Sequence, residues 1–372
     1  MFRLIQTLIS SAILGLTISS CAHIKADRDP QEYFTLAWSK DREITDPASG
    51  NLSIALNSPF VYEGVLYAGH NDGQMIAYDL ETGRELWKGE DKSSYHSAPV
   101  IFKDQDQVIY GTVQGRVYSR HYLTGKIKYV VDLGASVETE GVVYNGRIFF
   151  HLRNHQIFCL DAATGKILWA YKRSVPYQTT LQKASKPLVK DNKVYVGFAD
   201  GFVAAFGIED GVLLWENKLV SGSKFVDIDS NPMMKDGKLF IASLSGPMAI
   251  LEPNTGNLLR SLDYVVSRSP VARGDQLLFG TVDGHLVLLD KTFKEVINRK
   301  ISNAAISSIV EWKGLLAVST VGANIYLVDP ITLQVKATHH LGHDFSAVFG
   351  KMESVEGKLA LLSSRNRLYV FK

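Results

Sequence analysis

Only two cysteines, Cys21 and Cys159, occur in 372 residues, and no two cysteines are adjacent. A disulfide framework is therefore excluded as the source of stability, and the fold must come from a core. Histidines number ten, and the one dense group is His339, His340 and His343. A metal centre needs three or four ligands in fixed geometry, and that group supplies no further ligand nearby. Asp227-x-Asp229-x-Asn231 begins like a calcium loop, yet its sixth place is Pro232 and its twelfth is Lys238, where a glycine and a glutamate are required. No Gly-x-Ser-x-Gly elbow places a nucleophile. Beyond residue 20 no apolar run is long enough to span a membrane. Charge of one sign is also missing: the net value is +2, which leaves no basic surface for nucleic acid.

What the chain has is repetition. Asp79-Leu80-Glu81-Thr82-Gly83-Arg84-Glu85-Leu86-Trp87 returns as Asp161-Ala162-Ala163-Thr164-Gly165-Lys166-Ile167-Leu168-Trp169, and in weaker form elsewhere. Equivalent places fall at Asp79, His121, Asp161, Gly207, Glu252, Asp290, Asp329 and Lys372, spaced by 42, 40, 46, 45, 38, 39 and 43 residues. Each unit holds short apolar-alternating runs separated by turns, such as Asn71-Asp72-Gly73, whose residues supply positive φ. A period near 40 with four strands is the mark of a β-propeller blade. The expectation is an all-β, eight-bladed propeller of four-stranded antiparallel blades occupying residues 33–372. The last unit, from Ser346, holds three strands, and Tyr33 to Lys40 reads as an unattached strand carrying Trp38. That strand is predicted to complete blade eight and close the ring, removing an exposed edge.

Residues 1–20 read as an export signal: Arg3, then an apolar stretch from Leu4 to Leu16, then small residues before Cys21. The segment resembles a bacterial lipobox, which would make Cys21 the acylated first residue of the mature protein, followed by a linker over 21–32. Ala22 in place of Asp after that cysteine resembles an outer-membrane sorting signal, with the domain facing the periplasm of a Gram-negative cell. Cys159 lies inside a strand and reads as a small buried thiol.

The two longest intervals are consecutive, and their extra residues fall in the links Ala170 to Lys186 and Glu216 to Asn231. Both join an outer strand to the next inner strand, so they share a rim. The expected patch carries Val175, Tyr177, Leu181, Phe225 and Val226, with Asp227 and Asp229 beside them, as an interface requires apolar residues ringed by a few charges. The bland alternative is a solvated loop pair in which the apolar residues fold back and the aspartates cap turns.

The blade phrase resembles the repeat of pyrroloquinoline-quinone-dependent dehydrogenases, which leaves a quinoprotein enzyme as one alternative and a periplasmic ligand-binding or sensing propeller as another. The alcohol-oxidising quinoproteins carry an adjacent cysteine pair that this chain lacks. Lipobox, lone tryptophan strand, eight blades and Val226-Asp227-Ile228-Asp229-Ser230-Asn231-Pro232 together resemble the BamB family of outer-membrane β-barrel assembly lipoproteins over essentially everything from Cys21 onward. That resemblance implies a non-enzymatic scaffold without cofactor or metal, bound to the POTRA domains of BamA, with unfolded outer-membrane proteins as further partners. It implies contact through Asp227 and Asp229, and through a Leu-x-Leu-Arg stretch that falls here on Thr179-Thr180-Leu181-Gln182. Only the second leucine is retained, Gln182 stands for the arginine, and Lys183 supplies the nearest charge. Phe225 completes the candidate set.

Overall fold

The computed structural model describes residues 33–43, 53–175, 184–222, 225–266, 268–342 and 346–372. Its strands form eight four-stranded antiparallel sheets, seven of them built from strands consecutive in sequence. In blade one the order from inner to outer is Phe60–Tyr62, Val65–Gly69, Gln74–Asp79 and Glu85–Glu90. The two middle strands are buried along most of their length because each blade is covered on both faces. Since successive side chains point to opposite faces, Leu66, Ala68, Ile76 and Tyr78 pack on Ala360, Leu362, Leu368 and Val370 of blade eight. Tyr67, Met75 and Ala77 pack instead on Ile101, Val108 and Tyr110 of blade two. The core is thus divided among the seams between blades, and the middle strands read as continuous apolar runs.

The repeated phrase has a local cause and a long-range one. Asp79 Oδ1 accepts from the backbone N–H of Thr82 at 2.8 Å and from its hydroxyl at 2.7 Å, while the Gly83 N–H donates to Asp79 O at 2.8 Å. Asp161 and Thr164 repeat the arrangement at 2.8 and 2.7 Å. The long-range cause is docking between blades. Trp87 Nε1 donates to Tyr122 O of blade two at 2.7 Å, Trp169 to Ile208 O of blade four at 3.0 Å, and Trp215 to Pro253 O of blade five at 2.9 Å. Each ring lies on the glycine of the next blade's turn, so tightly that a Cβ on Gly125, Gly211 or Gly256 would stand within 2.7, 2.5 or 2.3 Å of it. Where blade five has Arg260 instead of tryptophan, the guanidinium donates to Thr292 O at 2.8 Å.

The turn chemistry differs in one respect from the sequence expectation. In the Asn71-Asp72-Gly73 hairpin only Gly73 has positive φ, at 82°. Paired positive φ occurs in the first hairpin of the blade: Glu63 and Gly64 at 47° and 70°, Asn145 and Gly146 at 49° and 74°, Asp236 and Gly237 at 48° and 66°. Two consecutive left-handed residues match the right-handed twist of the flanking strands.

Closure takes the expected form. Leu36–Asp41 pairs antiparallel with Arg367–Phe371 as the outer strand of blade eight. Trp38 Nε1 donates to Leu80 O at 2.9 Å, and its ring lies against Gly83 of blade one. Phe34 packs on Phe371 and Trp312, with centroids 5.5 and 5.8 Å away. His339 is part of this packing, 5.1 Å from Phe34 and 4.9 Å from Phe371. At the seam of blades one and two, Asp91 Oδ2 accepts from Tyr95 and Tyr110 hydroxyls at 2.9 and 2.8 Å, and Arg120 pairs with Oδ1 while its Nε donates to Tyr110 at 2.7 Å. Cys159 is buried, and burial pushes its thiol up to about 12, which keeps it protonated and inert.

Candidate protein-binding rim

Within a blade the chain runs up and down, so the links between blades and the turns between the two middle strands share one rim. The first long link leaves the outer strand Ile167–Lys172 and is held at both ends, at the near one by half-buried Arg173 and at the far one by buried His151. Arg173 Nε pairs with Asp200 Oδ2 at 2.7 Å and its NH1 with Glu216 Oε2 at 2.6 Å, while its backbone N–H donates to His155 O at 3.2 Å. Its guanidinium lies over the rings of Phe198 and Phe202, 5.0 and 4.5 Å from their centroids. At the far end His151 Nδ1 meets Ser185 O at 2.9 Å, and Lys186 N–H donates to Asn231 Oδ1 at 2.8 Å. That last bond ties the two long links together. Asn231 is thus a strut between links, not the fifth ligand of a calcium loop.

His151 and His155 are both buried, with ring centroids 5.5 Å apart. Burial, with His155 nearby, lowers His151 to about 3; burial lowers His155 to about 4, with Asp200 opposing the shift and Arg173 adding to it. Both rings are neutral at neutral pH.

The second link returns from the outer strand Leu213–Lys218 and folds down into the rim. Ile228 is buried against Gly197 and donates its N–H to Phe198 O at 3.0 Å. Ser243 Oγ donates to Asp227 O at 2.8 Å, and Ser245 Oγ donates to Phe225 O. Phe225 has φ 55° and its residue is 54% exposed. Leu244, on the adjoining turn of blade five, is exposed as well.

The structure changes the expected patch. Asp227 and Asp229 are 2% and 3% exposed, and Val226 is buried beside them. Buried carboxylates on a folded-back link are an inner support, because the chain from 226 to 230 packs inward at nearly every residue. Asp229 faces Arg268 of the next link, offsetting part of the lowering that burial imposes on that guanidinium. Val175 is half-buried. Tyr177, Thr179, Leu181, Gln182 and Lys183 lie outside the described residues, as do Cys21 and His343. Leu244 and the histidine pair were missed in the sequence, and Asn231 was read there only within a motif, because their roles arise from contacts between blades.

Among the described residues no group of three or more His, Cys, Asp or Glu side chains is placed to hold a metal ion. Among the same residues no helix is long and apolar enough to cross a membrane. The sequence profile of the family described as outer membrane protein assembly factor BamB matches residues 44–126 and 93–300. The chain belongs to the BamB family. A BamB relative from Yersinia pestis is 25% identical over 209 residues, covering 52% of this chain and 53% of that protein, so the match spans about half the relative's length. The crystal structure of BamB from Moraxella catarrhalis superimposes with TM-score 0.75 at 19% identity, covering 91% of this chain and 99% of that one. A quinohemoprotein alcohol dehydrogenase from Pseudomonas putida superimposes with TM-score 0.69 at 12% identity, over 91% of this chain and 76% of that one. Likeness at that level shares a fold and leaves the function of a BamB-family chain to its surfaces.

Proposed function

We propose that this chain is a non-enzymatic scaffold of outer-membrane β-barrel assembly, anchored through lipid on Cys21 at the periplasmic face, and that its rim at blades three to five holds the POTRA domains of BamA. Family membership supports the assembly role. The observation that carries the binding site is Phe225. A large apolar side chain is held out in water on a left-handed backbone, and its carbonyl is fixed by Ser245. Such a conformation costs about 1–3 kcal/mol outside glycine, and rigid exposed aromatics are the anchors of protein interfaces. Leu244 lies on the turn that fixes it, and the neighbouring link carries Thr179, Leu181, Gln182 and Lys183. Asp227 and Asp229 act from beneath, by setting the path of the link that presents Phe225. An interface of about 800 Å² per partner spans this patch and its adjoining loops. Acyl chains on Cys21, each buried CH₂ contributing about 0.8 kcal/mol, keep the ring at the membrane, where unfolded outer-membrane proteins also pass.

A photo-crosslinking amino acid at position 225 should give a BamA adduct in intact membranes, whereas one at Ile331, on the opposite rim, should not. Equal yields from both positions, or none from either, would remove the rim from the site. Phe225→Asp should weaken co-purification of BamA with an unchanged circular dichroism spectrum. Cys21→Ser should release the chain from the membrane.

A further inference from the structure

The axis of the ring is lined by inner strands and by the residues that precede them. On the rim just described, a cavity of about 150 Å³ is walled by residues of most blades, among them Ser58, His96, Glu140, Lys186, Arg268 and Lys351. Toward the opposite rim a hollow of about 530 Å³ is lined by Phe102, Asp104, Val142 and Asn145. Glu140 and Lys186 line both spaces, so they stand at the level where the axial passage is divided. There Lys186 Nζ meets Glu140 Oε1 at 2.8 Å and Lys351 Nζ meets Glu140 Oε2 at 3.0 Å. Glu140 precedes the inner strand of blade three, Lys186 that of blade four, and Lys351 that of blade eight.

We propose that Glu140, Lys186 and Lys351 form an ionic tie across the hub, which fastens blade eight to blades three and four and fills the axial position with the chain's own charges. Blade eight is the one blade whose outer strand comes from a distant part of the sequence, so it gains most from a second attachment. The backbone under Lys351 is fixed: its N–H donates to Ser58 Oγ at 2.6 Å, and Gly350 is pressed so close to blade one that a Cβ there would stand 2.3 Å from Asn57 O. Lys186 is fixed through Asn231, and Gly141 beside Glu140 is packed on Phe150 and Ile148. Three rigid backbones therefore aim three side chains at one point. Burial opposes the charge on Glu140, but Lys351 and Lys186 outweigh it and hold its carboxyl below the usual range. Glu353, on the blade-eight inner strand, is raised chiefly by burial and further by Glu140, while Lys351 and Lys186 oppose the rise. Glu140 is thus the carboxylate that both ammonium groups share.

Glu140 and Lys186 are half-buried and the Lys351 side chain is exposed, so removing Glu140 leaves two ammonium groups facing each other in a partly hydrated hub, at a cost below that of a fully buried cluster, whereas replacing all three by apolar groups of like volume removes that repulsion. Glu140→Ala should lower the melting temperature by about 2 °C or more. Acetate, set against chloride at equal ionic strength, should restore part of that loss in the variant and leave the native protein unchanged. The triple variant Glu140→Leu/Lys186→Met/Lys351→Met should melt closer to the native protein than Glu140→Ala does. Lys351→Met keeps the Glu140–Lys186 pair and folds even if Glu140→Ala does not. In it, amide exchange across the Leu36–Asp41 and Arg367–Phe371 pair should quicken about threefold with blade six unchanged. Melting of Lys351→Met within a degree of the native protein, with no change of exchange in blade eight or with equal change in blade six, would overturn the tie.

Discussion

Three buried histidines make stability depend on pH below neutrality, and the half-buried His339, lowered chiefly by burial, adds in the same direction. His70 lies between Asn366 and Tyr78, with ring nitrogens 3.3 and 3.1 Å from their side-chain oxygens, and is lowered to about 3, chiefly by burial and further by Arg42. His151 and His155 are lowered to about 3 and about 4. In the unfolded chain a histidine takes up a proton near pH 6.5. The folded chain refuses that proton until about pH 4 or below, so its full stability is present above pH 6.5 and is lost as the pH falls through the window beneath it. Each site contributes a slope of about 1.4 kcal/mol per pH unit, hence about 4 for three sites and at most about 6 kcal/mol between pH 6.5 and 5. Ordinary carboxylates are ionised in both states over that interval, and Glu353, whose carboxyl is raised, works in the opposite direction. Urea unfolding at pH 7, 6 and 5 measures the slope, and His155→Gln should reduce it by about a third. A native slope under about 1 kcal/mol per pH unit, or one unaltered in the variant, would refute the reasoning.

Arg120→Met leaves the buried Asp91 carboxylate facing two tyrosines and should cost about 3–5 kcal/mol in denaturant unfolding. Changing Lys88 in the exposed Lys88–Glu90 pair should cost less than about 1 kcal/mol in the same assay. Gly211→Ala should destabilise more than Gly146→Ala: φ is 69° and 74° in the two, but only at Gly211 does a Cβ meet a tryptophan, 2.5 Å from Trp169. The difference in their unfolding midpoints reads the docking contact alone. Deleting residues 33–40 should lower the melting temperature sharply and produce oligomers in size-exclusion chromatography through the opened edge of Arg367–Phe371.

The blade count, the strand order and the closing strand were legible because each is written as a period or a leftover. Asp79, Thr82, Gly83 and Trp87 recur at fixed spacing, and the spacing is the turn and its docking partner. Turn assignment was less legible. Glu63 and Asn145 take left-handed backbones because a glycine follows them in a two-residue hairpin, while the more conspicuous Asn71-Asp72-Gly73 needs only its glycine. On the rim, the length of the two links and the exposure of Phe225 were readable. The burial of Asp227 and Asp229 was not, since it depends on Ile228 finding a niche over Gly197 in the neighbouring blade. The hub cluster was equally hidden: Glu140 and Lys351 stand 211 residues apart, and no local pattern links them.

The tryptophan contacts run in one rotational sense, each blade gripping the one that follows. Trp38 extends that series from blade eight to blade one, although its strand precedes every other described strand in the sequence. Its strand has no partner to pair with until Arg367–Phe371 exists beside it, so the grip that finishes the circle waits for the last blade. A fault that stops the chain short of blade eight would therefore leave two unpaired margins on the same molecule. Quality control that recognises unpaired strands has a single, late event to monitor in this protein.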